Sequence, residues 1–185
     1  MKIVVGISGA SGIVYAKRLL EYLSTNKKHQ IFAIASIDAI KIGKTEIKTD
    51  LIDFFKSFNI EYFSNDDFYA PLASGSFLID KTIIIPCSMK TLSSVSMGFS
   101  HSLITRVCDV AIKEKRTLTI CPREMPFSVI QLENMLRLAR IGVNIVPPVP
   151  AFYNEPQTID DLVNFVVGKV LDITGIENDI FKRWK

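Results

Sequence analysis

Six short apolar runs, at residues 3–7, 31–35, 60–63, 82–86, 118–121 and 144–146, alternate with segments of helical spacing over 13–23, 50–58, 88–97, 102–113, 126–140 and 158–172. Strands separated by helices cannot pair as hairpins; each helix instead carries the chain back across the sheet so that the next strand runs parallel to the last. The pattern therefore predicts an α/β fold of three layers around a mostly parallel, doubly wound sheet. A chain of 185 residues with 48% hydrophobic content supports one domain spanning 1–185 with a sizeable core. In such sheets ligands collect beyond the carboxyl ends of the strands. Those ends are Ser8–Ser11, Ser36, Cys87–Ser88, Pro122–Glu124 and Pro147–Tyr153.

The first end is the most telling. Val4-Val5-Gly6-Ile7-Ser8-Gly9-Ala10-Ser11-Gly12 joins an apolar strand to a helix, which places the backbone N–H groups of Gly9, Ala10 and Ser11 where a helix N-terminus meets an anion. The spacing is G-x-S-G-x-S-G, so Ser8 replaces the middle glycine of a dinucleotide fingerprint, and no G-K-[ST] follows. The second strand ends at Ser36 rather than at a carboxylate for a ribose 2′-OH, and Asp38 lies two residues beyond. These departures disfavour NAD and a triphosphate and favour a mononucleotide cofactor. The competing reading of the same glycines is a tight strand-to-helix connection and nothing more.

A formal charge of +3, from 22 basic and 19 acidic side chains, is too balanced for a nucleic-acid binder. The cysteines, Cys87, Cys108 and Cys121, are odd in number and form no C-x-x-C pair, which argues for neither a disulfide framework nor a zinc site. The chain opens on a core strand, and no apolar run approaches the roughly 20 residues of a membrane span. No nucleic acid, membrane or metal partner is expected, and a cytoplasmic location is the default. His29 and His101 lie in polar surroundings without a catalytic partner in a recognisable order and are assigned to the surface or to structure.

Further candidates fall at the later strand ends. Ser88 is placed to cap a helix, with Thr91 and the first-turn N–H groups forming a second anion seat, or an ordinary Ser cap. Arg106, Asp109 and Lys113 share one helical face, as Arg106–Asp109 and Asp109–Lys113 surface pairs or as cations aimed at a phosphate. Arg123 and Glu124 stand between Pro122 and Pro126, either as a structural pair or as a phosphate clamp beside a proton carrier. Glu46, within Lys44-Thr45-Glu46, reads by itself as a solvated acid.

Gly6-Ile7-Ser8-Gly9-Ala10-Ser11-Gly12, Ser74-Gly75-Ser76-Phe77, Pro86-Cys87-Ser88-Met89-Lys90-Thr91-Leu92, Leu103-Ile104-Thr105-Arg106, Lys113-Glu114-Lys115-Arg116, Arg123-Glu124 and Pro147-Pro148-Val149-Pro150-Ala151-Phe152-Tyr153 together resemble the UbiX/Pad family of flavin prenyltransferases, in order and over nearly the whole chain. The resemblance implies a flavodoxin-like Rossmann fold that binds FMN. It implies transfer of a dimethylallyl group from dimethylallyl monophosphate to N5 and C6 of reduced FMN, giving the prenylated FMN that UbiD-type decarboxylases use. By the same resemblance Gly9, Ala10, Ser11, Ser36, Ser88, Met89, Lys90, Thr91 and Arg123 hold FMN, and Lys113, Arg123, Tyr153 and Lys169 cradle the substrate phosphate. Glu46, Glu124, Ser11, Lys113 and Arg106 take catalytic positions, Trp184 closes on the site, and the chain forms a homo-oligomer, commonly a dodecamer.

This sequence departs from the family pattern at Lys169, where many relatives carry Arg, at Ile37-Asp38-Ala39 in place of a basic-small pattern, and at Met125 in place of Thr. The rival readings are a flavin-dependent cysteine decarboxylase of the related fold, which needs a catalytic His and an Asn/Met-rich clamp, and a non-catalytic FMN carrier, in which the cation set would have no purpose.

Overall fold

In a computed structural model, residues 1–184 are described. Six strands, β1 (Lys2–Ile7), β2 (Gln30–Ala35), β3 (Glu61–Ser64), β4 (Lys81–Cys87), β5 (Thr117–Pro122) and β6 (Asn144–Ile145), form one sheet in the order β3-β2-β1-β4-β5-β6. Every pairing is parallel, so the expected doubly wound sheet is present without an antiparallel strand. Seven α-helices cover it: α1 (Ile13–Ser24), α2 (Ile37–Glu46), α3 (Leu51–Ser57), α4 (Met89–Ser96), α5 (Leu103–Lys113), α6 (Val129–Arg140) and α7 (Ile159–Thr174). Two 3-10 turns, Pro71–Ala73 and Gly75–Phe77, lead into β4.

Both faces of the sheet are buried, which is why its central strands read as continuous apolar runs. Ile3, Val5 and Ile7 of β1 point into a core shared with α1, α3 and α7, while Val4 points to the opposite core, built with α4 and α5. Cys87, Cys108 and Cys121 are all buried, and burial raises their thiol pKa values, that of Cys87 to about 12.

Side-chain caps punctuate the helices: Ser36, Asp50, Ser88, Ser102, Ser128 and Thr158 each accept a first-turn N–H. Helix α2 lies outside the sequence expectation, because Lys41, Gly43 and Lys44 interrupt its apolar spacing and only Ala39 and Gly43 are buried on it. Helix α6 starts at Val129 rather than 126, where Ser128 caps it with Gln131 in a capping box.

Candidate functional site

The chain leaves β1 toward β2 on one side and later returns to place β4 on the other, so the crevice lies between the carboxyl ends of β1 and β4. Ser8 spans that gap. Its buried hydroxyl donates to the Pro86 carbonyl at 3.1 Å and accepts the Ser88 N–H at 2.7 Å, while its own N–H reaches the same carbonyl at 3.2 Å. The serine that breaks the dinucleotide fingerprint is therefore a cross-tie between two strand ends, a role for which a glycine has no side chain.

Three helices begin on this edge. At α1, Gly12 takes a left-handed conformation (φ 100°), and the Glu46 carboxylate reaches from the end of α2 to accept the Gly12 and Ile13 N–H groups at 2.9 and 3.1 Å. An anion thus already occupies this helix N-terminus, and it belongs to the protein. At α2, Ser36 accepts the Ala39 N–H, and at α4, Ser88 accepts the Thr91 N–H and donates to the Thr91 hydroxyl. The N–H groups of Gly9, Ser11, Ile37, Asp38, Met89 and Lys90 find no acceptor among the described residues. Open donors at the N-termini of α2 and α4, beside the Gly9 turn, suit a phosphate dianion such as that of FMN. Gly9 is required here, since a Cβ would stand 2.6 Å from Asp38 Cβ. Asp38, whose side chain lies against Gly9, adds an acid beside this seat, and the Ile37-Asp38-Ala39 stretch carries no basic residue to offset it.

Arg123 follows β5 onto the same edge, its N–H bonded to the Cys87 carbonyl at 3.0 Å. Its charge reaches the Tyr15 phenol of α1, opposing the upward pKa shift that burial imposes on that group. Glu124 accepts the Met125 N–H at 3.0 Å, and no ion pair joins it to Arg123 among the described residues, so the structural-pair reading of this dipeptide fails. Both side chains are exposed and uncommitted to each other.

The remaining candidates lie elsewhere in the protomer. Arg106 and Lys113 are on α5, which starts beside Asn65 after β3 and ends where the chain enters β5. Lys113 and Arg123 consequently stand at opposite edges of the sheet, with the whole of β5 between them. Arg106 pairs with Asp109 at 2.7 Å as expected, but Lys113 turns from Asp109 to Glu114 at 2.6 Å, because the helix ends at Lys113 and its last side chain is free to fold sideways. Tyr153 and Trp184 meet edge to face with centroids 5.2 Å apart, and Tyr153 also packs on Phe165 of α7. Lys169 is exposed on α7 and its charge acts on Asp172.

The C-terminal tail explains how Trp184 reaches Tyr153. Phe181 lies directly over Gly168, Arg183 grips Asp172 with two bonds of 2.8 and 2.9 Å, and Asn178 ties Asp172 and the Gly168 carbonyl. Sequence spacing gave no signal for this docking, nor for the cross-tie at Ser8 or the approach of the Arg123 charge to Tyr15. Among the described residues no group of three His, Cys, Asp or Glu side chains can hold a metal ion, and no helix is long and apolar enough to cross a membrane.

These features define an α/β flavoprotein: the Flavoprotein family model matches residues 1–171. The chain is 54% identical to the flavin prenyltransferase UbiX of Methanocaldococcus jannaschii, over 100% of this chain and 98% of that protein. It superposes on the dodecameric FMN-dependent UbiX-like decarboxylase of Escherichia coli O157:H7 with a TM-score of 0.97 at 42% identity, covering 100% of both chains. A structure of AnUbiX (PadA1) in complex with FMN and dimethylallyl pyrophosphate aligns with a TM-score of 0.94 at 36% identity, over 100% of this chain and 97% of that one. The chain belongs to the UbiX family of flavin prenyltransferases. The FMN-dependent cysteine decarboxylase TvaF, at 14% identity and a TM-score of 0.64, shares the fold alone, so the decarboxylase rival is not favoured.

Proposed function

We propose that this chain transfers the dimethylallyl group of dimethylallyl monophosphate to N5 and C6 of reduced FMN and releases the prenylated flavin to a UbiD-type decarboxylase in the cytoplasm. The observation that carries the reading is the set of acceptor-free N–H groups at α2 and α4, facing the crevice that Ser8 ties together, with Arg123 at its rim. Gly9, Ala10, Ser11 and Ser36 form one wall of the cofactor seat, and Ser88, Met89, Lys90, Thr91 and Arg123 the other. When bound, reduced FMN supplies the electron-rich ring that takes up the allylic carbon.

The chain's own task is to pull the phosphate away and to receive a proton. Cleaving an allylic C–O bond without a metal requires fixed cations on the departing oxygens, and Arg123, Lys113 and Lys169, with Tyr153 as a hydroxyl donor, are the groups for it. Arg106 flanks Lys113 on α5. Ser11 Oγ makes no hydrogen bond among the described residues and is available as a further donor. Glu124, whose carboxylate holds a single local N–H, is our choice of proton acceptor; Glu46 is committed to two N–H groups of the α1 turn and shapes the crevice. Trp184, docked on Tyr153, closes the outer side.

Because Lys113 cannot reach Arg123 within one protomer, the reading requires sites shared between copies. Helix α6 supports it: of its residues only Leu138 is buried, while Val129 and Ile130 are each 70% exposed. An apolar helix face of that kind is matched to another copy of the chain, and a dodecamer is the assembly we assign. Anaerobic incubation with reduced FMN and dimethylallyl monophosphate, followed by mass spectrometry, tests the function directly. A flavin heavier by one five-carbon prenyl unit is the expected product, and recovery of unmodified flavin from folded protein overturns the reading.

A further inference from the structure

The Ser74-Gly75-Ser76 turn has no part in the site described above, yet it underlies its most distant cation. Lys113 Nζ bonds Glu114 Oε1 at 2.6 Å, and the other oxygen of that carboxylate lies 3.9 Å from Arg116 Nη2. The same Arg116 nitrogen donates to the Gly75 carbonyl at 2.6 Å, and the Arg116 side chain is only 16% exposed. Arg106 is held in the same manner, through Nε to the Ala73 carbonyl at 3.1 Å and through Nη1 to Asp109. Carbonyls of residues 73 and 75 therefore anchor two guanidinium groups, and the groove above them, about 930 Å³, is lined by Arg106, Lys113, Arg116, Ser74, Ser76 and Tyr69.

We propose that Glu114, backed by Arg116 and seated on Gly75, is a positioning residue that fixes the Lys113 ammonium for the substrate phosphate. The proposal rests on the reading that Lys113 meets that phosphate. An ammonium has three N–H donors, and Glu114 takes one, which leaves two for phosphate oxygens and removes much of the freedom of a long side chain. Glu114 does not cancel the cation, because Arg116 shares the carboxylate and the trio keeps a net positive charge. Gly75 is part of the device: a Cβ there would stand 2.6 Å from Glu114 Oε1 and 3.2 Å from Lys113 Nζ. Both atoms end flexible side chains, so Gly75→Ala displaces the pair without altering any charge.

Steady-state kinetics with dimethylallyl monophosphate on the assembled protein decide the matter, with FMN affinity and light scattering followed in parallel. Glu114→Ala and Gly75→Ala are each expected to raise KM about tenfold, with FMN affinity and assembly unchanged. Glu114→Gln, which keeps an acceptor for Lys113, is expected to stay within about threefold of the parent. A KM in Glu114→Ala at or below the parental value overturns the positioning role, as does a Gly75→Ala protein with parental kinetics. Lys113→Ala separates this failure from that of the underlying reading: if Lys113→Ala turns over normally, both fall, whereas if it is inactive while Glu114→Ala is normal, only the positioning role falls.

Discussion

The Ser8 hydroxyl oxygen accepts the Ser88 N–H at 2.7 Å across the gap between β1 and β4. Ser8→Ala leaves that N–H and a buried stretch of backbone without their partner. The expected loss is about 1–3 kcal/mol of stability, read from urea denaturation, together with weaker FMN binding in a fluorescence titration. Unchanged stability would show that the tie is dispensable.

Glu46 carries a second prediction. Its carboxylate caps α1 through Gly12 and Ile13, so Glu46→Ala opens an anion seat that the parent protein fills itself. A destabilisation of about 1–2 kcal/mol is expected, partly reversed by inorganic phosphate in thermal melts of the variant but not of the parent.

Subunit mixing tests the shared site. Lys113→Ala and Arg123→Ala proteins should each bind the sheet-edge cofactor differently, the first normally and the second poorly, and each should be inactive. Co-assembled from unfolded chains, they are expected to regain measurable turnover, because some sites then receive both intact side chains from different copies. Absence of any recovery from well-formed mixed oligomers contradicts a site built across subunits.

The fourth prediction concerns pH. Asp172 is held below its ordinary pKa, first by the Arg183 hydrogen bonds. A carboxyl whose folded pKa is depressed contributes stability that is complete above its unfolded value, about 3.9, and is lost as pH falls through the folded value. Tail docking should thus be constant from neutral pH down to about pH 5 and fail on stronger acidification. Trp184 is the sole tryptophan, so its fluorescence anisotropy reports the tail directly. Asp172→Asn is expected to lower that anisotropy at neutral pH and to flatten its acid dependence.

Much of this architecture was legible in the residues themselves. Strands buried on both faces announce themselves as unbroken apolar runs, and the cap at Ser88 follows from one hydroxyl placed before a periodic segment. Helix α2 was hidden because its charged and glycine positions break the apolar period while Ser36 and the neighbouring loop hold it in place. The Glu46 cap, the Lys113–Glu114 pair and the return of Phe181 onto Gly168 arise from contacts between distant segments or from side-chain choice at a helix end. No local pattern records such contacts. Resemblance named the candidate side chains one by one, but only the path of β5 shows that Lys113 and Arg123 stand at opposite ends of one strand.

The interior burial of Cys87, Cys108 and Cys121 has a practical consequence. With the thiolate form suppressed at neutral pH, alkylating reagents have almost nothing native to attack while the fold is intact. A single cysteine introduced on the tail would therefore accept a spectroscopic probe alone, without first stripping the protein of its own sulfur.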